Sequence, residues 1–383
     1  MDHFKAPVQT QAPVGKPAHP KIHALTSARF FAALYVVLFH THWGVTPDST
    51  TDRVLALGNV APYFFFLLSG YILATVYLQG GKSVAPRGFY VARFARIYPL
   101  YIVSVLADLP FVILGRAGKY GLVVATERVL VLLAASTVMQ QMWLQTLVVI
   151  NIPSWSLAIE AVFYLSFPLL GPWLWKLRGR TLEVIAVIAY VGGVFLSQRI
   201  TSLQLIHPSG FDLISFLTTF ALGILLARWQ MLRVEDTGSR KPAWIGWTVL
   251  ILTAICFAVV IYLNPWLASV NINPGFLLAP VYMAAIWILA ATRILPVRLL
   301  EASWLVVLGE ASYGLYLIQL PIGHLFQKIH LAGSPWNYPL YLTVCIGLSV
   351  LSFYYFETPA RRWILSRFRT RPKETMEAAS AAQ

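Results

Sequence analysis

Apolar residues along the chain gather in runs of roughly 16 to 21 positions, separated by short polar and basic stretches. A helix that crosses the hydrocarbon core needs roughly 20 mostly apolar residues, whereas a strand needs about half as many. In lipid, only helices and closed barrels satisfy every backbone hydrogen bond. The run length therefore predicts helices. Spans are read near 25–43, 59–79, 98–114, 155–175, 182–197, 211–227, 244–263, 275–292, 303–323 and 338–356. The fold class expected is all-α: a polytopic transmembrane helical bundle of about ten helices. Composition agrees, with 58% hydrophobic and 11% charged residues.

The net charge of +14 could point to nucleic acid, so the placement of Lys and Arg decides its meaning. With the N-terminus inside, 23 of the 29 fall in segments on the cytoplasmic side. The positive-inside rule then supports ten spans with both termini cytoplasmic. The basic excess is thus topology, and no nucleic-acid partner is expected. The domain reading is a cytoplasmic N-terminal tail at 1–23, a membrane domain at 24–360 and a basic cytoplasmic C-terminal tail at 361–383. No cleaved signal peptide is suggested, because the first apolar run carries Arg29 and His40. Residues 120–150 are long enough to span, yet the flanking charge demands no net crossing; they are read as a re-entrant or interfacial hairpin. Cys256 and Cys345 lie inside spans without metal-ligand spacing. No metal is expected.

Ionisable side chains inside the membrane cost at least a few kcal/mol each and are functional candidates by default. Five stand out: Arg29, His40, Asp108, Glu160 and Glu310. Arg29 and His40 are eleven residues apart, which is one face of one helix, separated by about 16 Å along its axis. His42 points elsewhere on that helix. Glu160, about five residues into the fourth span, lies at a depth similar to His40, so the two could meet. Arg93 and Arg96, one turn apart, stand at the cytoplasmic mouth near the level of Arg29, and the three could bind one anion. The arrangement predicted is a basic inner cluster suited to phosphates and an outer His–carboxylate pair suited to proton transfer. Asp108 and Glu310 are weaker candidates, each as suited to a structural pair as to a polar cavity. A secondary transporter or glycan flippase would also use buried charges, but no internal repeat is visible.

Several stretches carry a resemblance to a known family. LTSARFFAALYVVLFH resembles the acyltransferase-3 signature of an Arg, ten residues and a His. YFFFLLSGYI, RFARIYPLY, SWSLAIEAVFYLSFP, LGEASYGLYLIQLPI and FYYFETPARR are similar to its further blocks, in order from about 25 to 362. The resemblance implies transfer of an acyl group, usually acetyl from acetyl-CoA as co-substrate, to a hydroxyl of a carbohydrate or lipid-linked glycan. It implies a multi-pass protein of the bacterial inner membrane, in contact with membrane lipid. His40 would take the hydroxyl's proton and Glu160 would orient or charge-balance it. Arg29, Arg93 and Arg96 would hold the donor's phosphates or thioester end, and Trp155, Ser156 and Tyr164 would serve the acceptor. Where many members have a His after the Tyr-Leu of the ninth span, this chain has Gln319. Ser69 lacks a nucleophile-elbow pattern and is read as a helix-packing residue.

Overall fold

The computed structural model describes residues 23–41, 45–47, 49–81, 84–121, 126, 150–202, 212–237, 242–270 and 272–368. The expectations for residues 1–22, for His42, for most of the 120–150 segment and for the end of the C-terminal tail lie outside the described residues. Among the described residues every regular element is helical, and nine helical stretches are long and apolar enough to cross a membrane.

In chain order the helices are α1 (His23–Thr41), α2 (Thr50–Ala56), α3 (Ala61–Tyr77), α4 (Pro86–Tyr120), α5 (Trp155–Trp175), α6 (Gly179–Ser202), α7 (Leu213–Thr237) and α8 (Ala243–Ser269). Then come α9 (Pro274–Leu277), α10 (Ala279–Ala291), α11 (Leu295–Leu300), α12 (Ser303–Lys328), α13 (Tyr338–Ser352) and α14 (Thr358–Arg367). A π-helical turn, Phe353–Glu357, joins the last two.

The stretch read as the eighth span is where structure and pattern differ. It is broken into α9 and α10 at Leu278. Asn273 caps the first piece by accepting from the backbone N–H of Gly275 and Phe276, and each piece carries a proline at its start. Thirteen residues make about 20 Å of helix, short of the roughly 30 Å hydrocarbon core.

Side chains sort by what surrounds them. α8 exposes Trp247, Ile251, Leu252, Ile255 and Val259 at its outer surface, as a lipid-facing helix should. The interior is aromatic: Phe163 stacks on Phe220 at 4.5 Å between ring centres, and Phe66 meets Phe163 edge-on at 5.1 Å. The tightest crossing is α3 on α7. A Cβ on Gly70 would fall 2.1 Å from the Phe220 carbonyl oxygen, and one on Gly223 would fall 2.0 Å from that of Leu67. Only hydrogen fits there, which is how small residues bring membrane helices together. Gly223→Leu is therefore expected to cut the folded protein recovered from membranes severalfold, as read by size-exclusion of a fluorescent fusion. Gly192→Leu, where nothing lies within 4 Å, should leave it unchanged.

The chain path gives the bundle two ends. At one, the starts of α1 and α12 meet, with Gly309 against the carbonyl of Thr26; α4 begins and α14 finishes there. This end holds Arg93, Arg96 and Arg361. At the other, α1 terminates at Thr41 beside Gly323 of α12, and the Asn151 turn leads into α5. This second end is the distal end.

Candidate active site

α1 is unbroken from His23 to Thr41, so Arg29 and His40 sit on one helix as their spacing requires. Around Arg29 the electrostatic neighbours are Arg96 of α4, Glu310 of α12, and Glu160 and Tyr164 of α5. Arg93, one turn before Arg96, is set in an aromatic cage. Its guanidinium carbon lies 5.6, 5.9 and 5.8 Å from the rings of Tyr77, Phe89 and Tyr164, and its Nη2 donates to Tyr77 Oη at 3.2 Å. Rings at these distances hold a cation in place without neutralising it.

Arg361 of α14 completes the cluster, facing Arg96, Arg93, Glu310 and Tyr77. The π turn just before it brings in Glu357, whose neighbours include Arg96 and Arg29. Glu357 accepts from Ser352 at 3.4 Å. Gly314 makes room for this carboxylate: a Cβ there would come within 3.0 Å of Glu357 Oε1. Four arginines from α1, α4 and α14 thus converge among Glu160, Glu310 and Glu357. Among the described residues, Arg93 and Arg361 each keep a buried Nε with no hydrogen-bond partner. An unpaired buried donor on a charged group is costly, and an acceptor placed between these guanidinium groups would remove that cost.

From Arg29 a cavity of about 70 Å³ runs between helices, lined by Arg29, Glu160, Ser156, Leu157, Pro62, Phe65, Phe66, Ser312, Tyr313 and Tyr316. Its polar walls are tied together. Ser69 Oγ donates to Glu160 Oε1 at 3.0 Å, Ser156 Oγ and Tyr316 Oη are 2.9 Å apart, and Tyr316 Oη donates to the Pro153 carbonyl at 2.9 Å.

His40 occupies the last turn of α1. Its Nδ1 lies 2.9 Å from the Val36 carbonyl oxygen. A carbonyl can only accept, so Nδ1 donates and the neutral ring leaves its lone pair on Nε2. The Gln319 side chain lies against this ring. Gln319 donates through Nε2 to the Tyr316 carbonyl at 2.9 Å, while its Oε1 is buried without a bond of normal geometry.

One expectation needs correction. Glu160 does not meet His40: its partner is Ser69, and it faces Arg29 across the cavity. A carboxylate in a low-dielectric interior settles opposite a fixed cation, and Arg29 is that cation. Tyr164, expected to serve the acceptor, stands about 13 Å along α5 from Trp155, in the Arg93 cage. Trp155 packs into the aromatic interior, 5.5 Å from Phe216 and 6.2 Å from Phe66. Ser156 does line the cavity shared by Arg29 and Glu160. Arg361 and Glu357 stand beside these residues as well, although by sequence the first belongs to a basic tail and the second to a motif block. Their signal was the FETPARR stretch, but the π turn that aims them is not legible in it.

Glu160→Gln keeps an oxygen that accepts from Ser69 yet removes the charge opposite Arg29. Turnover is expected to fall about tenfold or more, measured against folded protein; an unchanged rate would reduce Glu160 to a packing partner of Ser69.

Among the described residues, nine helices long and apolar enough to cross a membrane, packed around a buried polar cavity and a convergent arginine cluster, make this a multi-pass membrane protein. The chain belongs to the acyltransferase family described as "Acyltransferase domain", which matches residues 22–357. Among curated relatives, "Putative peptidoglycan O-acetyltransferase YrhL" of Bacillus subtilis (strain 168) is 26% identical over 376 residues, covering 90% of this chain and 55% of that protein. "Nodulation protein 10" of Rhizobium leguminosarum bv. viciae is 24% identical over 357 residues, covering 87% and 92%. "O-acetyltransferase OatA" of Staphylococcus aureus (strain MRSA252) is 24% identical over 382 residues, covering 93% and 60%. The chain thus spans little more than half of the Bacillus relative's length. No solved structure matches the chain. Among the described residues no group of three or more His, Cys, Asp or Glu is placed to hold a metal ion.

Proposed function

We propose that this protein is a membrane O-acyltransferase that moves an acyl group, acetyl in the simplest case, from acyl-CoA to a hydroxyl of a cell-envelope carbohydrate. The observation that carries the donor half is the pair of buried, unpartnered Nε atoms on Arg93 and Arg361 within the arginine cluster. Phosphate oxygens of CoA are acceptors of the charge and geometry that guanidinium groups bind best. The names of the Bacillus and Staphylococcus relatives support a glycan acceptor.

Arg93, Arg96 and Arg361 hold the donor's phosphates at a cytoplasmic mouth, and the thioester arm extends along the cavity past Arg29. At the distal end His40 Nε2 takes the proton of the acceptor hydroxyl as its oxygen bonds to the acyl carbon. The carbon–sulfur bond breaks and the thiolate leaves with the electron pair, to be protonated as free CoA thiol. Glu160 balances Arg29, so that the cavity presents polar groups without a net buried cation. The membrane domain is proposed to begin near 24 and to extend past 360, because α14 carries Arg361 into the cluster. The inner membrane is the proposed location, with acetyl-CoA drawn from the cytoplasm.

The test compares membranes bearing matched amounts of wild type, His40→Ala and Arg93→Ala for incorporation of labelled acetyl from acetyl-CoA into envelope carbohydrate. Loss in both variants supports the two-ended enzyme. If wild type incorporates no label, acyl transfer is excluded and a transport role takes its place.

A further inference from the structure

A histidine paired with a carboxylate does stand at the distal end, but it is not His40 with Glu160. His324 stands near the end of α12, and its Nδ1 is 2.6 Å from Asp108 Oδ1 of α4. Asp108 is 1% exposed. Its second oxygen accepts the backbone N–H of Asn151 at 2.9 Å. Asn151 is held in turn: its backbone is left-handed, at φ 54°, and its side-chain amide donates to Ser104 Oγ and to the Leu317 carbonyl, each at 2.9 Å. α4, the turn before α5 and α12 therefore fix one carboxylate, and that carboxylate fixes one imidazole.

The ring is oriented for an outside ligand. With Nδ1 donating to the carboxylate, the neutral imidazole carries its lone pair on Nε2, and Nε2 has no partner among the described residues. The His324 side chain is 33% exposed, in contrast to the sealed Asp108 beneath it. Phe111 lies beside it, with 5.9 Å between ring centres. A staple between helices would need only a donor for Asp108; it would not need a second ring nitrogen held open beside an aromatic face. A pyranose offers the matching surface, hydroxyls around its edge and C–H groups on its faces. Binding sites commonly pair a few fixed polar groups with aromatic walls in this way.

We propose that His324, oriented by Asp108, is a carbohydrate-binding subsite whose Nε2 accepts a hydrogen bond from an acceptor hydroxyl other than the one acylated. The inference rests on the acyl-transfer reading. The subsite is carried by the same helix as Gln319, five residues and about 7.5 Å further along the axis and about 140° around it, so it faces Asp108 of α4 whereas Gln319 faces His40 of α1. An oligosaccharide bound at His324 is held at the same end of the bundle as His40 but on another face of α12, so the subsite grips a sugar unit away from the acylated one and selects which glycan is modified. Asp108 acts as a positioning residue.

The experiment uses the full-length protein in membranes, labelled acetyl-CoA, and solubilised cell-envelope glycan as the varied acceptor. In His324→Asn the shorter amide can still donate to Asp108 while the open ring nitrogen is gone. The half-saturating glycan concentration is expected to rise about tenfold, the worth of one well-placed hydrogen bond, with that of acetyl-CoA unchanged. Asp108→Asn should act in the same direction through the ring's orientation. In wild type, the same glycan should slow modification of His324 by diethylpyrocarbonate, read by mass spectrometry, which needs no variant to fold. Unchanged glycan dependence in His324→Asn, or no protection of His324 by glycan in an active wild type, overturns the subsite and leaves the acyl-transfer reading standing. A wild type with no transfer overturns both.

Discussion

His40→Gln is expected to lower acyl transfer by about 10²- to 10⁴-fold, the usual contribution of a positioned acid–base group, while the half-saturating acetyl-CoA concentration stays where it was. The split follows from geometry. His40 is at the distal end, bonded through Nδ1 to Val36, and it shares no contact with the Arg93 and Arg361 cluster. Removing it should spare donor binding and strike only the step that takes a proton. Gln is the informative replacement because it can fill much of the volume and hydrogen-bond yet cannot accept a proton near neutral pH. The Gln319 side chain against the ring adds a second expectation. Its Oε1 is buried without a regular partner, and an imidazolium at His40 would supply the missing donor. Gln319→Leu should therefore lower turnover in the same direction as His40→Gln but less steeply, since the base itself remains. A His40→Gln protein that transfers acetyl at the wild-type rate would remove His40 from the chemistry altogether.

What the sequence could and could not reveal divides along the physics of local and non-local order. The Arg29–His40 spacing follows from helix geometry alone, and α1 carries both on one unbroken helix. The Arg93–Arg96 repeat is equally local, and Arg96 is found beside Arg29. Partner choice is not local. Glu160 has a depth that suited His40, but side-chain direction around α5 and the position of Ser69 on α3 put it opposite Arg29. The Asp108–His324 bond joins residues 216 apart in sequence, and no periodicity within either helix announces it. The π turn at Phe353–Glu357 shifts everything after it around the helix axis, so a wheel drawn with the ordinary period aims Arg361 wrongly. The break at Leu278 was hidden for a different reason: the residues around it are almost all apolar, and the second helix start, at Leu278, has no side-chain cap and is marked locally by Pro280 alone.

Arg361→Gln is expected to raise the half-saturating acetyl-CoA concentration by about 10- to 100-fold, the range that follows from 1.5–3 kcal/mol for a charge-assisted hydrogen bond. Arg93→Gln should do the same. The two residues face one another across the cluster and each holds a buried Nε without a partner, so a shared polyanionic ligand would couple them. The double variant should then depart from the product of the single effects, because contacts to one ligand are not independent. Arg93→Lys should recover little. A lysine restores the charge but not the planar fork or the fit among the Tyr77, Phe89 and Tyr164 rings. Raising ionic strength should weaken wild-type donor binding more than that of either variant, since fewer screened contacts remain to be lost. Glycan dependence should stay unchanged throughout, because His324 and Asp108 belong to the opposite end of the bundle. If Arg361→Gln binds acetyl-CoA like wild type, the arginines at this end serve topology alone, and the donor must enter elsewhere.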